Sequence, residues 1–189
     1  MKGTENMKLI TGNTGKLKEI RRWLEPLGIE VTLLDREFVE TQSDSLDEVI
    51  LNGMEILEKE GGIEGAFIKD DSGLFIDSLS GFPGVYSSYV HRSIGNRGIL
   101  KLMEGRTDRR ASFRTAIGLY LPGEGVSLFR GECKGVLSLE ERGKQGFGYD
   151  PIFVPEGEER TFAEMSVEEK NSISHRIRAI KGLVEFLSR

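Results

Sequence analysis

Apolar residues in the first third of the chain follow strand-like and helix-like spacing in turn. The short segments 8–11 and 29–34 have the composition of buried strands. Between them, apolar residues recur at three- and four-residue spacing from Leu17 to Leu27, which predicts an amphipathic helix that ends at Gly28. A strand, a helix and a second strand in this order are typical of an α/β fold.

The middle of the chain contains further helix and strand signals. The S-x-x-E pattern that begins at Ser45 is a capping box and predicts a helix through about Glu60. Residues 66–69 predict a strand that ends at the sequence D-D-S-G. Helical spacing then covers 86–104 and is broken near Gly95.

Two long strands and a final helix complete the predicted set. Apolar residues alternate over 111–121, and 126–139 returns as an antiparallel partner after the turn P-G-E-G at 122–125. A second S-x-x-E pattern begins at Ser166. The apolar stripe of one C-terminal helix consists of Ile173, Ile177, Ile180, Val184 and Leu187.

These elements predict an α/β fold with a mixed β-sheet flanked by helices, in a single domain that spans 1–189. We find no internal repeat and no linker, so any two lobes are expected to be interwoven along the chain rather than consecutive. Met7 directly precedes the first predicted strand, and the six residues before it are polar. We therefore expect residues 1–6 to form a flexible N-terminal extension.

Composition and charge exclude several classes of protein. The 189 residues are 38% hydrophobic and 30% charged, with a net charge of −5, which argues against binding to nucleic acid or to a membrane surface. The single cysteine, Cys133, rules out an intramolecular disulfide and a cysteine zinc cluster. No apolar run approaches the ~20 residues of a membrane span, and we expect a cytoplasmic protein.

The first candidate site is the sequence T-G-N-T-G-K, where a strand leads through a glycine turn into a helix. Backbone N–H groups and the positive end of the helix dipole meet there, which favours a bound phosphate. The sequence lacks the P-loop pattern, because Ile10 and Leu17 stand where Gly and Ser or Thr are required. A capped helix with a surface lysine is the alternative interpretation. The candidate residues are Thr11, Gly12, Asn13, Thr14, Gly15 and Lys16.

The second candidate is the acidic pair Asp70–Asp71 at the predicted strand end. Neighbouring strand residues point to opposite sides, so one of the two acids can face a site. Carboxylate oxygens suit Mg²⁺, and Glu40 in a polar loop could supply a second ligand. Ser72 could cap a turn or contact phosphate. A turn with solvated acids is the alternative.

A predicted G-F-P-G turn lies at 81–84. The third candidate site is the sequence F-G-Y-D at 147–150. Phe147 lies between two glycines and can present its ring face to a nucleobase. Asp150 could accept hydrogen bonds from a base or hold the loop, and Gly148 belongs to the same turn. For Tyr149 a core position is an equally good interpretation.

The fourth candidate lies where the last helix is predicted to begin. Lys170, His175 and Arg176 can donate hydrogen bonds to a base carbonyl or to a phosphate. A solvated, charged helix face is the usual alternative for such a run. His91 has no carboxylate or serine pattern near it, and no covalent nucleophile is indicated.

In this order along the chain, the motifs resemble those of the inosine triphosphate pyrophosphatase family, also called dITP/XTP pyrophosphatases. T-G-N-x-x-K, D-D-S-G, G-x-P-G and F-G-Y-D are each weak signals, but their joint order is specific. The final motif is K-N followed by S-H-R, at Lys170–Asn171 and Ser174–Arg176. The resemblance extends from Met7 over nearly the whole chain. The residues of the motifs look especially like those of archaeal members.

The resemblance implies a reaction in which water attacks the α-phosphorus of ITP, dITP or XTP and releases the monophosphate and pyrophosphate. It implies that Asp71 is the general base and a Mg²⁺ ligand, that Glu40 is the other ligand, and that Phe147 stacks on the purine. Thr11–Lys16 and Ser72 would bind the triphosphate. The remaining contacts to base and phosphate would come from Gly148, Tyr149, Asp150, Lys170, His175 and Arg176. The family fold is an elongated mixed sheet with two lobes and a cleft, and members are usually homodimers.

The chain departs from the family pattern at two positions where some members have lysine, which here are Gly53 and Ser88. Arg92 or Arg97 could supply cations instead. Two other functions stay open. A Maf-like pyrophosphatase for modified pyrimidine nucleotides would have an N-terminal S-x-S-x-R-R pattern, which is absent. A regulatory nucleotide-binding module without catalysis would lack the acids at positions 40 and 71.

Overall fold

A computed structural model of the protein describes residues 5–11, 14–35 and 42–189, with the side chain of residue 14 excepted. Within these residues the strands are β1 (Asn6–Ile10), β2 (Glu30–Leu34), β3 (Ala66–Ile76), β4 (Arg110–Leu121), β5 (Gly125–Leu137) and β6 (Phe153–Pro155). They form one sheet in the order β2-β1-β3-β4-β5-β6. β1 is parallel to both of its neighbours, whereas β5 and β6 are antiparallel. The prediction of a mixed sheet is confirmed.

Helices follow β1, β2, β3 and β6 along the described chain, whereas β4, β5 and β6 succeed one another without an intervening α-helix. The helices are α1 (Thr14–Leu24), α2 (Leu46–Glu60), α3 (Ser87–Leu102), α4 (Val167–Ile173) and α5 (His175–Leu187). Short 3₁₀ turns follow α1 and β3 and precede α3, β6 and α4. None of the helices in the described segments has the length and apolar character that crossing a membrane requires.

The chain folds into two compact units whose segments alternate along the sequence. The first unit contains the described parts of Met1–Asp71 together with Thr115–Arg130 and Arg178–Arg189. The second unit contains Ser72–Arg114 and Gly131–Ile177. The boundaries therefore fall inside β3, β4, β5 and α5, and the units are interwoven along the chain in the way the sequence predicts.

The core of the first unit comes from the apolar sides of α1 and α2 and from its strands. Ile20 and Leu24 of α1 are fully buried, as predicted, together with Ile50 and Leu57 of α2. Leu27 is 41% exposed, and its prediction as a core residue is wrong. The α-helix ends at Leu24 because Pro26 follows in a 3₁₀ turn, which rotates Leu27 away from the apolar stripe.

The core of the second unit is built around aromatic side chains. The ring centroid of Phe113 in β4 lies 4.7 Å from that of Phe153 in β6 and 5.9 Å from that of Phe162. Leu74 and Ile76 of β3 and Ile99 of α3 are fully buried in the same cluster. Both sides of β4 are covered, since buried residues occur at odd and even positions along it, so the predicted alternation understates its burial.

Strand β3 extends further than predicted. It continues through Ile76, so the D-D-S-G sequence lies inside the strand rather than at its end. Gly73 allows this course, because a Cβ atom there would lie 2.2 Å from the carbonyl oxygen of Gly84. The predicted G-F-P-G turn comes back against the strand, and Pro83 forms a bridge with Phe75.

Helix termini agree with the sequence at some positions and differ at others. Ser166 and Glu169 form the reciprocal capping box that was predicted. Ser45 caps α2, but the Glu48 carboxylate accepts from Ser43 Oγ at 2.6 Å instead of completing the box.

The predicted C-terminal helix is in fact two helices. Ser174 has extended backbone angles (φ −66°, ψ 157°), and its hydroxyl accepts from the amide of Ile177 in the first turn of α5. At the other end of the chain, β1 begins at Asn6, which pairs in register with Glu30 and therefore does not belong to a flexible extension. Residues 1–4 lie outside the described segments.

Candidate functional site

The segment Thr11–Lys16 connects β1 to α1 in the first unit. Thr11, Gly15 and Lys16 are half-buried, whereas Gly12, Asn13 and the side chain of Thr14 lie outside the described part of the chain. Parallel pairing places Ile10 opposite Lys69 of β3, so the residues that follow the two positions come next to each other. This pairing brings the predicted phosphate segment to the acidic pair of β3.

A lysine–aspartate contact joins these two segments. Lys16 Nζ lies 3.1 Å from Asp70 Oδ2 and donates to the carbonyl oxygen of Asp70 at 3.2 Å. The Asp70 side chain is fully buried, and that of Lys16 is 14% exposed. Lys16 is therefore not an extended surface lysine, and its cationic group is fixed at the carboxyl-terminal side of β1 beside β3.

The two adjacent acids occupy different environments, as their positions in a strand require. Asp70 is 5% exposed, whereas Asp71 is half-buried. Ser72, the next residue, is also half-buried and begins the second unit. Asp71 is therefore the acid of this pair that a solvent molecule or ligand can reach.

The described acids fit a magnesium ion that is shared with a substrate. Mg²⁺ usually takes one or two protein carboxylates and completes its shell with phosphate oxygens and waters. Asp71 offers one such carboxylate, and Glu40 lies outside the described residues. Over 5–11, 14–35 and 42–189, no group of three or more His, Cys, Asp or Glu side chains could hold a metal ion.

Asp150 organises the F-G-Y-D segment in the second unit. Its Oδ2 accepts from the backbone amide of Phe147 at 2.8 Å and from Lys170 Nζ at 2.6 Å. The residue is 3% exposed, so these contacts hold the carboxylate inside the protein. A Cβ atom on Gly146 would lie 2.0 Å from the same oxygen, which explains the glycine before Phe147. Of the two interpretations of Asp150, the structure favours the one in which it holds the loop.

Phe147 presents an accessible ring next to two cations. The residue is 49% exposed, although it is a large apolar side chain. Lys170 Nζ lies 4.9 Å from the ring centroid, and the guanidinium carbon of Arg176 lies 6.0 Å from it. An exposed ring can stack on a planar base. Arg176 adds a positive charge beside it, whereas the charge of Lys170 is paired with Asp150.

Tyr149 occupies a core position, the alternative that the sequence left open. It is 3% exposed, and its hydroxyl donates to the carbonyl oxygen of Ser87 at 2.9 Å. Burial raises the pKa of this phenol above its ordinary value of 10. Its ring and that of His91 pack edge to face, with their centroids 5.0 Å apart. Tyr149 thus anchors the segment that carries Phe147.

His175 and Arg176 begin α5, and neither belongs to a solvated helix face. They are 5% and 4% exposed. The His175 ring stacks on Phe113 with a centroid distance of 4.8 Å and an interplanar angle of 12°. Arg176 donates to Ser72 Oγ at 3.4 Å. The second unit thus brings Ser72, Phe147, Lys170 and Arg176 into one connected set.

Gly53 and Ser88, the two positions where some family members have lysine, do not belong to this connected set of residues. Gly53 is buried on the apolar side of α2, and Ser88 is exposed. Arg92 donates to Ser88 Oγ at 2.7 Å on the surface, and the side chain of Arg97 is 95% exposed. The sequence analysis missed Ser87, which helps to hold the segment that carries Phe147. Its hydroxyl accepts from the amide of Leu74 at 2.8 Å, and its carbonyl oxygen accepts from the Tyr149 hydroxyl. No sequence motif marks it, because its role depends on main-chain contacts.

Comparison with known proteins decides the family. A sequence model described as the Ham1 family matches residues 7–186, which include every candidate site residue. The chain belongs to the Ham1 family. It is 52% identical over 178 residues to a dITP/XTP pyrophosphatase of Pyrococcus horikoshii, with 94% of each chain covered. It is 48% identical to a dITP/XTP pyrophosphatase of Thermococcus kodakarensis, with 96% of each chain covered.

Solved structures of other Ham1 proteins have the same fold. The Ham1 protein of Staphylococcus aureus superposes with a TM-score of 0.85 at 30% identity, covering 97% of this chain and 98% of that one. A Ham1 protein from Coxiella burnetii gives a TM-score of 0.83 at 32% identity, with the same coverage of each chain. The expectation of an α/β fold of the inosine triphosphate pyrophosphatase family is confirmed.

Proposed function

We propose that this Ham1 protein hydrolyses the non-standard purine nucleoside triphosphates ITP, dITP and XTP to the monophosphate and pyrophosphate. One observation carries the proposal: the half-exposed Phe147 ring has Lys170 and Arg176 beside it, which matches the flat base and the negative charge of a nucleotide. The similarity to two archaeal dITP/XTP pyrophosphatases supports this choice of substrate class.

Base recognition is assigned to the second unit. Phe147 stacks on the purine, and donors from Lys170, His175 and Arg176 bind its 6-oxo group or a phosphate. Adenine has an amino group at position 6, so it would leave these donors without an acceptor. A site built on hydrogen bonds can reject such an analogue by up to about 10⁴-fold. The loop residues in this proposal are Gly148, Tyr149 and Asp150, of which the last two act by holding the loop.

Phosphate binding is assigned to the segment before α1 and to Ser72. Lys16 supplies a full positive charge, and we assign binding of the phosphate chain also to the residues that precede it in the sequence, Thr11, Gly12, Asn13, Thr14 and Gly15. The contact between Lys16 and Asp70 keeps the ammonium group in place before a substrate arrives. Ser72 contributes a hydroxyl that already receives a hydrogen bond from Arg176.

Asp71 is proposed as the general base. It takes a proton from water, the water oxygen forms a bond to the α-phosphorus, and the bond from that phosphorus to the bridging oxygen breaks so that pyrophosphate leaves. Glu40 and Asp71 would hold Mg²⁺. The bound ion would neutralise the negative charge on the leaving pyrophosphate. Half-burial of Asp71 supports this role, because a base must reach both water and substrate. The homodimer and the cytoplasmic location stay predictions.

A nucleotide panel with product identification tests the proposal. ITP, dITP and XTP should be hydrolysed with Mg²⁺ to monophosphate and pyrophosphate, with kcat/KM well above that for ATP and the pyrimidine triphosphates. Release of orthophosphate from ITP would indicate a phosphatase instead. Binding of ITP without turnover in the presence of Mg²⁺ would indicate a regulatory module. A preference for modified pyrimidine nucleotides would indicate a Maf-like activity.

A further inference from the structure

The second half of α3 contacts the main chain of the segment that carries Phe147. Gly95 interrupts the helix with φ 63° and ψ −169°, and Asn96, the next residue, is 8% exposed. The side-chain amide nitrogen of Asn96 donates to the carbonyl oxygen of Gly148 at 3.1 Å, and it lies 3.4 Å from Glu141 Oε2. A buried side chain of the helix therefore holds the peptide group one residue beyond Phe147.

This peptide group needs a restraint from outside the segment. Phe147 is fixed at its amide by Asp150, and Tyr149 is fixed through its hydroxyl by Ser87. Gly148 between them has no side chain to pack, and glycine loses more conformational freedom on ordering than any other residue. The Asn96 contact acts at this position, so the segment is held at three successive residues.

We infer that Asn96 is a positioning residue that fixes the Phe147 ring for stacking on the base. The inference rests on the proposed function, because it assigns Asn96 to the base-binding part of that site. A platform that is ordered before the ligand arrives loses less entropy on binding. The contribution of Asn96 therefore belongs to nucleotide affinity and not to binding of the phosphate chain.

Replacement of Asn96 distinguishes an effect on binding of the base from an effect on binding of the phosphate chain. Asn96→Ala should raise KM for ITP about 3- to 10-fold, the loss expected for one hydrogen bond, and change kcat by less than about twofold. Ki for inorganic tripolyphosphate, which has no base, should stay at the wild-type value. Asn96→Asp keeps the shape of the side chain but has no donor, so it should raise KM for ITP at least as much.

A matched control and a second readout complete the test. Ser93→Ala changes the same helix at a side chain that bonds only within it, to the carbonyl oxygen of Tyr89, and should leave KM unchanged. Amide hydrogen exchange in 145–150 should be faster in Asn96→Ala than in the wild type, and unchanged in Ser93→Ala.

Three results would overturn the inference. The first is a wild-type KM for ITP in folded Asn96→Ala or, if that variant does not fold, in Asn96→Asp. The second is an equal rise in KM for ITP and in Ki for tripolyphosphate, which would indicate a general structural role. The third is unchanged exchange in 145–150. Absence of ITP turnover in the wild type would contradict the proposed function instead, and the exchange measurement would still report on the contact made by Asn96.

Discussion

At the scale of single residues, strand geometry puts two neighbouring aspartates in different surroundings, and we propose separate roles for them. Asp70 is buried against Lys16, whereas Asp71 is accessible. Asp71→Asn should lower kcat for ITP by about 10²- to 10⁴-fold, the usual contribution of a general base, while the protein stays folded. Asp77→Asn, an exposed acid just after β3, is the matched control and should leave kcat unchanged. A kcat of Asp71→Asn within twofold of the wild type would remove Asp71 from the mechanism.

The role of Phe147 is tested by shortening its side chain. Stacking of an aromatic side chain on a base contributes about 1–3 kcal/mol, so Phe147→Ala should raise KM for ITP and XTP by roughly 5- to 150-fold. Phe147→Tyr keeps the ring and should stay within about threefold of the wild type, since stacking is insensitive to the hydroxyl. Steady-state kinetics of both variants check this, and equal KM values for Phe147→Ala and the wild type would make the ring irrelevant to binding.

Tyr149 gives a prediction for stability as a function of pH. Tyr149→Phe removes the hydrogen bond to Ser87 and should lower the free energy of unfolding by about 1 kcal/mol near neutral pH. Burial raises the pKa of the folded phenol, so its contribution is fully present below the unfolded pKa of about 10 and is lost as pH rises beyond it. Denaturant titrations of both proteins at pH 7 and above pH 10 measure this. A difference that grows with pH would contradict the assignment.

At the scale of elements, the close approach of β3 to the G-F-P-G turn depends on one glycine. Gly73→Ala would place a Cβ atom 2.2 Å from the Gly84 carbonyl oxygen, and main chain must move, so the free energy of unfolding should fall by about 1–3 kcal/mol or more. Gly182→Ala in α5 is the matched control, because its Cβ atom would meet Phe129 at an ordinary 3.5 Å. That change should stabilise by up to about 1 kcal/mol through helix propensity.

Thermal or denaturant unfolding of the two alanine variants decides this point. Opposite signs are expected, although the chemical change is the same. If Gly73→Ala were as stable as the wild type, the turn and the strand could not be packed as described, and the extended course of β3 through D-D-S-G would be wrong.

Periodicity predicted the elements that depend on local spacing. The apolar stripe of α1 up to Leu24 and the Ser166 capping box agree with the structure, because each depends on residues within a few positions of one another. The end of β3 could not be predicted, since its continuation depends on Gly84, which is distant in sequence. The break at Ser174 was missed because the apolar spacing continues across it.

At the scale of the whole molecule, motif order along the chain predicted more than any motif alone. The matched sequence of motifs indicated the family and the mixed sheet, and the fold and family are confirmed. The spacing of residues along the chain could not show which polar side chains are buried. Asp150 and Tyr149 hold a loop, and His175 packs on Phe113. Those roles depend on neighbours that come together only in the folded unit.

The net charge of −5 does not prevent binding of a triphosphate, because charge acts locally. In the second unit Lys170 and Arg176 lie beside the Phe147 ring. In the first unit Lys16, at the end of the predicted phosphate-binding segment, is held by Asp70. Such fixed cations cost little reorganisation when an anion binds.

The central claim is attack of water at the α-phosphorus of a non-standard purine triphosphate. Hydrolysis of ITP in H₂¹⁸O with Mg²⁺, followed by mass spectrometry of both products, tests it most directly. We expect one ¹⁸O atom in inosine monophosphate and none in pyrophosphate. Label in pyrophosphate would place the attack at the β-phosphorus, and release of labelled orthophosphate would place it at the γ-phosphorus; either result would contradict the account.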